Sequence, residues 1–146
     1  MNDKNVPLDD ISFYANVFSF MGLPLSRDLD DESVDAVVIG VPYDLGTSGR
    51  SGTRMGPHAI RQASANLRWE EQRWPWDFAL SERMRAVDYG DVAFTFGDSA
   101  DMLEKVERQA AGITGAGKTR VALGGDHFVA LPLLRGTAKP HGKLAR

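Results

Sequence analysis

The chain has 146 residues, 42% hydrophobic and 25% charged, which suffices for one buried core and is unlike a disordered composition. Seventeen basic residues against 20 acidic ones leave a formal charge of −3, so neither nucleic acid nor an anionic membrane is expected as a partner. The absence of cysteine excludes disulfides, thiol nucleophiles and thiolate metal sites. The polar, acidic start from Met1 to Asp10 is unlike a signal or transit peptide, and the longest apolar run, Ala36 to Val41, is too short to span a bilayer. A cytoplasmic location is the expectation.

Residues 1–30 read as an N-terminal arm, with Phe13, Tyr14, Phe18, Phe20 and Leu23 scattered among polar positions as a candidate subunit interface. Residues 31–146 read as the N-terminal part of an α/β domain. Asp35 to Val41 is a continuous β-branched run, the pattern of a strand buried on both faces. Pro42-Tyr-Asp44 and a loop punctuated by Gly46, Gly49, Gly52 and Gly56 follow it. Pro57 then sits where a first helical turn tolerates proline, opening a predicted helix from His58 to Asn66 with Ile60 and Ala63 on one face. Trp69 to Phe78 is irregular, and its Trp69, Trp74 and Trp76 read as packing residues. A second strand is predicted at Met84 to Asp88.

Asp98 or Ser99 can cap a helix over Ala100 to Ala111, where Met102, Leu103, Val106 and Ala110 recur at helical spacing. Gly112, Gly115 and Gly117 end it, Arg120 to Leu123 supplies a third strand, and Phe128 to Leu134 reads as helical. Alternating strand and helix predict an α/β domain with a parallel sheet. Lys143 to Arg146 reads as the first residues of a fourth strand, so the sheet is expected to stop mid-strand.

Four segments invite a chemical reading. Gly112-Ile-Thr-Gly-Ala-Gly-Lys-Thr119 matches the phosphate-cradling G-x-x-x-x-G-K-[ST] pattern. Its context is reversed: a helix precedes it and a strand follows. The glycines read better as a helix stop, with Lys118 near the negative end of the helix dipole. Gly124-Gly-Asp-His127 follows a strand at the carboxyl edge of the presumed sheet, where open α/β folds bind ligands. His127 there is either a metal ligand or a helix cap, and the paired glycines leave room for a close ligand. The loop from Gly46 to Gly56 lies on the same edge. Its Thr47, Ser48 and Arg50 either line a substrate pocket or belong to a flexible connector. Asp88-Tyr-Gly-Asp91 sets two carboxylates across a predicted turn, where turn-forming aspartates are commoner than catalytic ones. His58 and His141 read as a solvated helix start and a Pro-His-Gly turn. No Gly-x-Ser-x-Gly elbow or His-Glu-x-x-His pair is present.

Gly40-Val-Pro-Tyr-Asp44, Gly52-Thr-Arg-Met-Gly-Pro-His-Ala-Ile-Arg61, Asp88-Tyr-Gly-Asp91 and Gly124-Gly-Asp-His127 together resemble the arginase/agmatinase ureohydrolases in order and spacing. Trp69-Glu and Pro75-Trp-Asp-Phe78 are most similar to the bacterial agmatinase branch. The resemblance implies a three-layer α/β/α fold around a parallel sheet and assembly as trimers or hexamers. It also implies two Mn²⁺ sharing a bridging hydroxide that attacks a guanidinium carbon, releasing urea and an amine; agmatine is the expected substrate and putrescine the amine. On that pattern His127 is the first manganese ligand and Asp126 supports it without ligating. The remaining ligands belong to Asp-Ala-His-x-Asp and Asp-x-Asp motifs that are absent here, so one of six remains and no catalytic residue is assigned. The chain by itself is therefore expected to be silent. Guanidinobutyrate, guanidinopropionate and arginine are alternative substrates of the same chemistry. A non-catalytic truncated remnant that binds an intact subunit is the alternative of another class.

Overall fold

The computed structural model describes residues 18–69, 72, 74, 75 and 77–142. Strand β1 (Ala36–Val41) forms where the β-branched run predicts it, and all six of its residues are buried. It is followed by helix α1 (Gly56–Ser64), the short helix α2 (Leu80–Arg83), β2 (Ala86–Asp91), helix α3 (Ser99–Gly115), β3 (Thr119–Gly124) and helix α4 (Ala130–His141). The three strands form a parallel sheet in the order β2-β1-β3. The most apolar strand is thus the central one, as burial on both faces requires.

Val37, Ile39 and Val41 share one buried cluster with Met102, Val106, Ala110 and Ile113 of α3 and with Val129 and Leu133. Each fully buried Val, Ile or Met side chain in it contributes roughly 1.5–3 kcal/mol over leaving it in water. On the other face, α1 approaches the sheet so closely that a side chain at Gly56 would meet the Gly124 carbonyl at 2.7 Å. Helices therefore cover both faces, and the architecture is the expected three-layer α/β/α arrangement. On the outer side, α4 crosses α3 at Gly136, where an added Cβ would lie 2.5 Å from the Glu107 carbonyl oxygen and 2.6 Å from the Ala110 Cβ.

Helix α3 starts on Asp98, whose Oδ1 accepts the Ala100 and Asp101 amides at 2.9 and 3.0 Å. It runs four residues beyond Ala111, so Gly112 lies inside it. Its end explains the phosphate-loop lookalike. Gly117 adopts φ +73°, the Lys118 amide donates to the Ile113 carbonyl and the Gly117 amide to the Thr114 carbonyl, which is a Schellman C-cap. Lys118 Nζ donates to the Asp31 carbonyl at 2.7 Å. Gly115 and Gly117 serve a helix terminus, and a strand, not a helix, follows them.

Three expectations need correction. The inward residues of α1 are Pro57, Arg61 and Ser64, whereas Ile60 and Ala63 are exposed. The Asp88–Asp91 segment is no turn. It belongs to β2, whose register against β1 jumps from Val38↔Asp88 to Ile39↔Gly90, a bulge at Tyr89 that Gly90 accommodates at φ +84°. His141 does not sit in a turn but ends α4, which carries Pro140 within it.

The described part of the arm lies on its own chain. Leu25 bridges to Asp88, with Ser26 donating to the Asp88 carbonyl and the Asp88 amide to the Pro24 carbonyl, so residues 24–26 run along the outer edge of β2. Phe13, Tyr14, Trp76 and the predicted strand start at Lys143 lie outside the described residues. Trp69 belongs to the short 3-10 turn Ala65–Trp69, and Trp74 is 94% exposed, so it packs against nothing described.

Candidate functional site at the carboxyl edge of the sheet

In a parallel sheet the loops leaving the strands gather at one edge. Here the loops after β1 and β3 are cross-linked there. The Gly125 amide donates to the Val41 carbonyl at 3.1 Å and the Asp126 amide to the Tyr43 carbonyl at 2.9 Å. A Cβ at Gly125 would lie 1.8 Å from the Tyr43 carbonyl oxygen. The second glycine of Gly124-Gly-Asp-His127 is needed for this close approach. The space that the pair leaves is filled by the Tyr43 backbone and Val129, not by room for a ligand.

Asp126 is committed to backbone amides through both oxygens. Oδ1 accepts Phe128 N at 2.9 Å and caps the 3-10 turn His127–Val129, while Oδ2 accepts Gly46 N at 2.7 Å. His127 opens that turn and is exposed. Aromatic contacts reinforce the same junction. The Tyr43 ring packs against Phe128 at 6.0 Å and against Phe94, from the loop after β2, at 6.1 Å. The Tyr43 hydroxyl pairs with the Ser99 hydroxyl at 2.7 Å.

The glycine-rich loop is held from its start by Asp44, whose side chain is buried. Its Oδ2 accepts Gly52 N at 2.7 Å, and its Oδ1 takes Arg54 Nε at 2.7 Å and Nη2 at 2.5 Å. These hydrogen bonds, from the Arg54 guanidinium first and then the Gly52 amide, lower the Asp44 carboxyl to about 2. Thr47, Ser48 and Arg50 follow in this loop. Thr47 Oγ1 is buried without a hydrogen-bond partner. Ser48 and Arg50 are exposed, and no interaction joins either of them to His127 among the described residues.

A second polar centre, which hydrophobic patterning gave no reason to single out, lies on the β2 side. Arg61 donates Nε and Nη2 to the two oxygens of Asp88 at 2.7 and 2.9 Å, and Nη1 to Asp91 at 2.5 Å. Asp88 is fully buried, and it also accepts the Phe20 amide at 2.8 Å and the Gly90 amide at 2.9 Å. Burial pushes its carboxyl up, but the Arg61 fork and the two amides outweigh this and hold it below the usual range. Burial likewise disfavours the Arg61 cation, and the two carboxylates reverse that, leaving its pKa raised. A cavity of about 420 Å³, lined by Phe18, Leu25 and Arg27, adjoins this centre. It lies across β1 from His127, and the charges that line it neutralise one another. The centre holds the arm to the sheet.

Among the described residues, no group of three or more His, Asp or Glu side chains could share an ion. His127 has no such neighbours, so the described residues do not fit a two-manganese centre. No described helix is long and apolar enough to cross a membrane.

This arrangement has close counterparts. An agmatinase of Neisseria meningitidis serogroup C is 51% identical over 136 residues, 93% of this chain and 44% of that protein. A crystal structure of a hypothetical agmatinase from Burkholderia thailandensis matches with TM-score 0.82 and 40% identity over 90% of this chain and 41% of that one. Proclavaminate amidino hydrolase from Streptomyces clavuligerus matches with TM-score 0.78 and 33% identity over 92% of this chain and 44% of that one. The chain spans less than half the length of each. The arginase family matches residues 34–145, most of the chain, and with the three-layer fold in place the chain belongs to the arginase family.

Proposed function

We propose that this chain is part of a manganese ureohydrolase of the agmatinase type, cleaving agmatine with water into putrescine and urea. The observation that carries the reading is the 51% identity to an agmatinase over 93% of the chain. The amidino hydrolase among its structural neighbours supports the shared chemistry, cleavage of a C–N bond in a guanidino group. On this reading His127 is the one metal ligand the chain contributes. Asp126 fixes the turn that carries it, since its two oxygens hold the Gly46 and Phe128 backbone amides. Thr47, Ser48 and Arg50 sit on the loop that Asp126 ties to that turn and are assigned to the substrate side of the site.

Two adjacent divalent cations need several oxygen or nitrogen donors each. The described residues offer no such cluster, and on this reading the chain alone is expected neither to hold the pair nor to release urea. The test is a chimera in which this chain replaces the matching 136 residues of the Neisseria meningitidis agmatinase. Manganese-dependent urea release from agmatine, lost on His127→Ala, is expected. A folded chimera that releases urea only from guanidinobutyrate or arginine would reassign the substrate, and a folded, inert one would count against the function.

A further inference from the structure

The cavity of about 420 Å³ beside β2 holds polar groups that the attachment of the arm does not use. Its volume is that of a small-molecule site. Arg27 is fixed in its wall twice: Nε donates to the Tyr89 carbonyl at 3.2 Å, and Cζ lies 5.5 Å from the centroid of the Tyr89 ring. Neither contact uses Nη1 or Nη2, and among the described residues these two nitrogens have no acceptor. They form a planar fork of the kind that matches a carboxylate. Nη2 stands 3.7 Å from where a Cβ on Gly90 would be, which sets the fork over the bulge and next to Asp91.

Asp91 has a group to spare as well. Its Oδ1 accepts Arg61 Nη1, whereas its Oδ2 has no donor among the described residues, and its side chain is 41% exposed. Behind it, Asp88 is occupied by Arg61 and by backbone amides. Two arginines and two aspartates thus line the cavity, and their charges balance. Phe18 and Leu25 add an apolar wall, with Leu25 55% exposed. An excess of one sign would favour a simple ion. One unused cationic fork and one unused carboxylate oxygen beside apolar surface favour a ligand that carries both charges and a hydrocarbon body.

We infer that this cavity binds a free α-amino acid with an apolar side chain, its carboxylate on the Arg27 fork, its ammonium on Asp91 Oδ2 and its side chain against Phe18 and Leu25. Such a ligand touches the arm and β2 together, so its binding stabilises their junction. The site lies across β1 from His127 and does not depend on the ureohydrolase reading.

The test is an NMR titration of the 146-residue chain with L-leucine and with its two halves, isocaproate, which lacks the ammonium, and isoamylamine, which lacks the carboxylate. Expected is saturable binding of leucine with Kd on the order of 1 mM or tighter, shifting the Tyr89, Gly90 and Asp91 amides and leaving those of Gly46 and His127 unmoved. Each half should bind about tenfold more weakly or less. The Phe20 and Ser26 amides, which tie the arm to Asp88, should exchange more slowly in the loaded protein. Arg27→Met keeps the aliphatic stem and should weaken leucine about tenfold with circular dichroism unchanged. The comparison of three ligands on the unaltered chain decides the matter even where that variant fails to fold. Absence of saturable shifts, shifts confined to the His127 turn, isocaproate or isoamylamine binding as tightly as leucine, or undiminished binding by a folded Arg27→Met would each overturn the inference.

Discussion

Asp126 Oδ2 accepts the Gly46 amide at 2.7 Å across 80 residues of sequence, tying the loop that follows β1 to the turn that carries His127. The same carboxylate caps that turn at Phe128. Asp126→Ala should therefore act as the loss of a helix cap plus a loop tie. The expected cost is about 1–2 kcal/mol, or a fall in Tm of roughly 3–8 °C for a chain of this size. Faster exchange of the Gly46 amide separates loss of the tie from a general loss of stability. An unchanged Gly46 amide in the variant would refute the role given to Asp126.

Arg61 and Asp88 form the buried pair on the other side of β1. Removing the cation leaves a fully buried carboxylate whose other partners are backbone amides, so Arg61→Met should cost about 3–5 kcal/mol in urea unfolding. Asp91→Asn, which loses one partly exposed partner of Arg61, should cost clearly less. Equal effects of the two variants would mean that the Asp88 contact is not the dominant one.

Acid should unfold the protein through its low-pKa carboxylates. A folded-state value of about 2 for Asp44 lies below the unfolded value of about 3.9. Its contribution is thus complete above about pH 4 and disappears as pH falls through about 2. Asp88 and Asp101 are also held low and add to the same slope. Urea midpoints measured from pH 5 to pH 2 should fall steadily, and Asp44→Asn should flatten part of that fall. A variant curve parallel to the wild type would show that Asp44 gains nothing from Arg54 and Gly52.

Two glycines of the same chain should respond oppositely to alanine. Gly125 faces the Tyr43 carbonyl oxygen, 1.8 Å from where a Cβ would stand, whereas Gly115 at the end of α3 has open space. Gly125→Ala should destabilise by about 1–3 kcal/mol through backbone displacement. Gly115→Ala should be neutral or stabilising by up to about 1 kcal/mol. Thermal melts of the two variants decide the point.

How much of this was legible in the sequence depends on the range of the force involved. β1 and the inward stripe of α3 show in local periodicity because burial on one or both faces leaves a repeat in the residues themselves. The reversed order of elements around Gly112–Thr119 was enough to reject a phosphate loop, and the Schellman cap at Gly117 supplies the reason for those glycines. Arg61 was invisible to the same reading. Its partners are 27 and 30 residues away, and a helix whose inward face holds an arginine and a serine contradicts hydrophobic patterning. The spacing of Pro57, Arg61 and Ser64, joined to two carboxylates in the next strand, is the signal that could have found it. The role of Tyr43 leaves no local pattern, because its packing against Phe94 and Phe128 needs all three strand ends in place. The bulge at Tyr89 was misread as a turn, since Asp-Tyr-Gly-Asp favours both and only pairing with β1 decides between them.

The most direct test of the account is a calorimetric titration of the purified 146-residue chain with Mn²⁺, accompanied by a urea assay on agmatine. No tight binding of two ions and no urea are expected, because the described residues offer His127 alone at the carboxyl edge of the sheet and no cluster to share a metal. Tight uptake of two Mn²⁺ with urea release from the chain alone would contradict it.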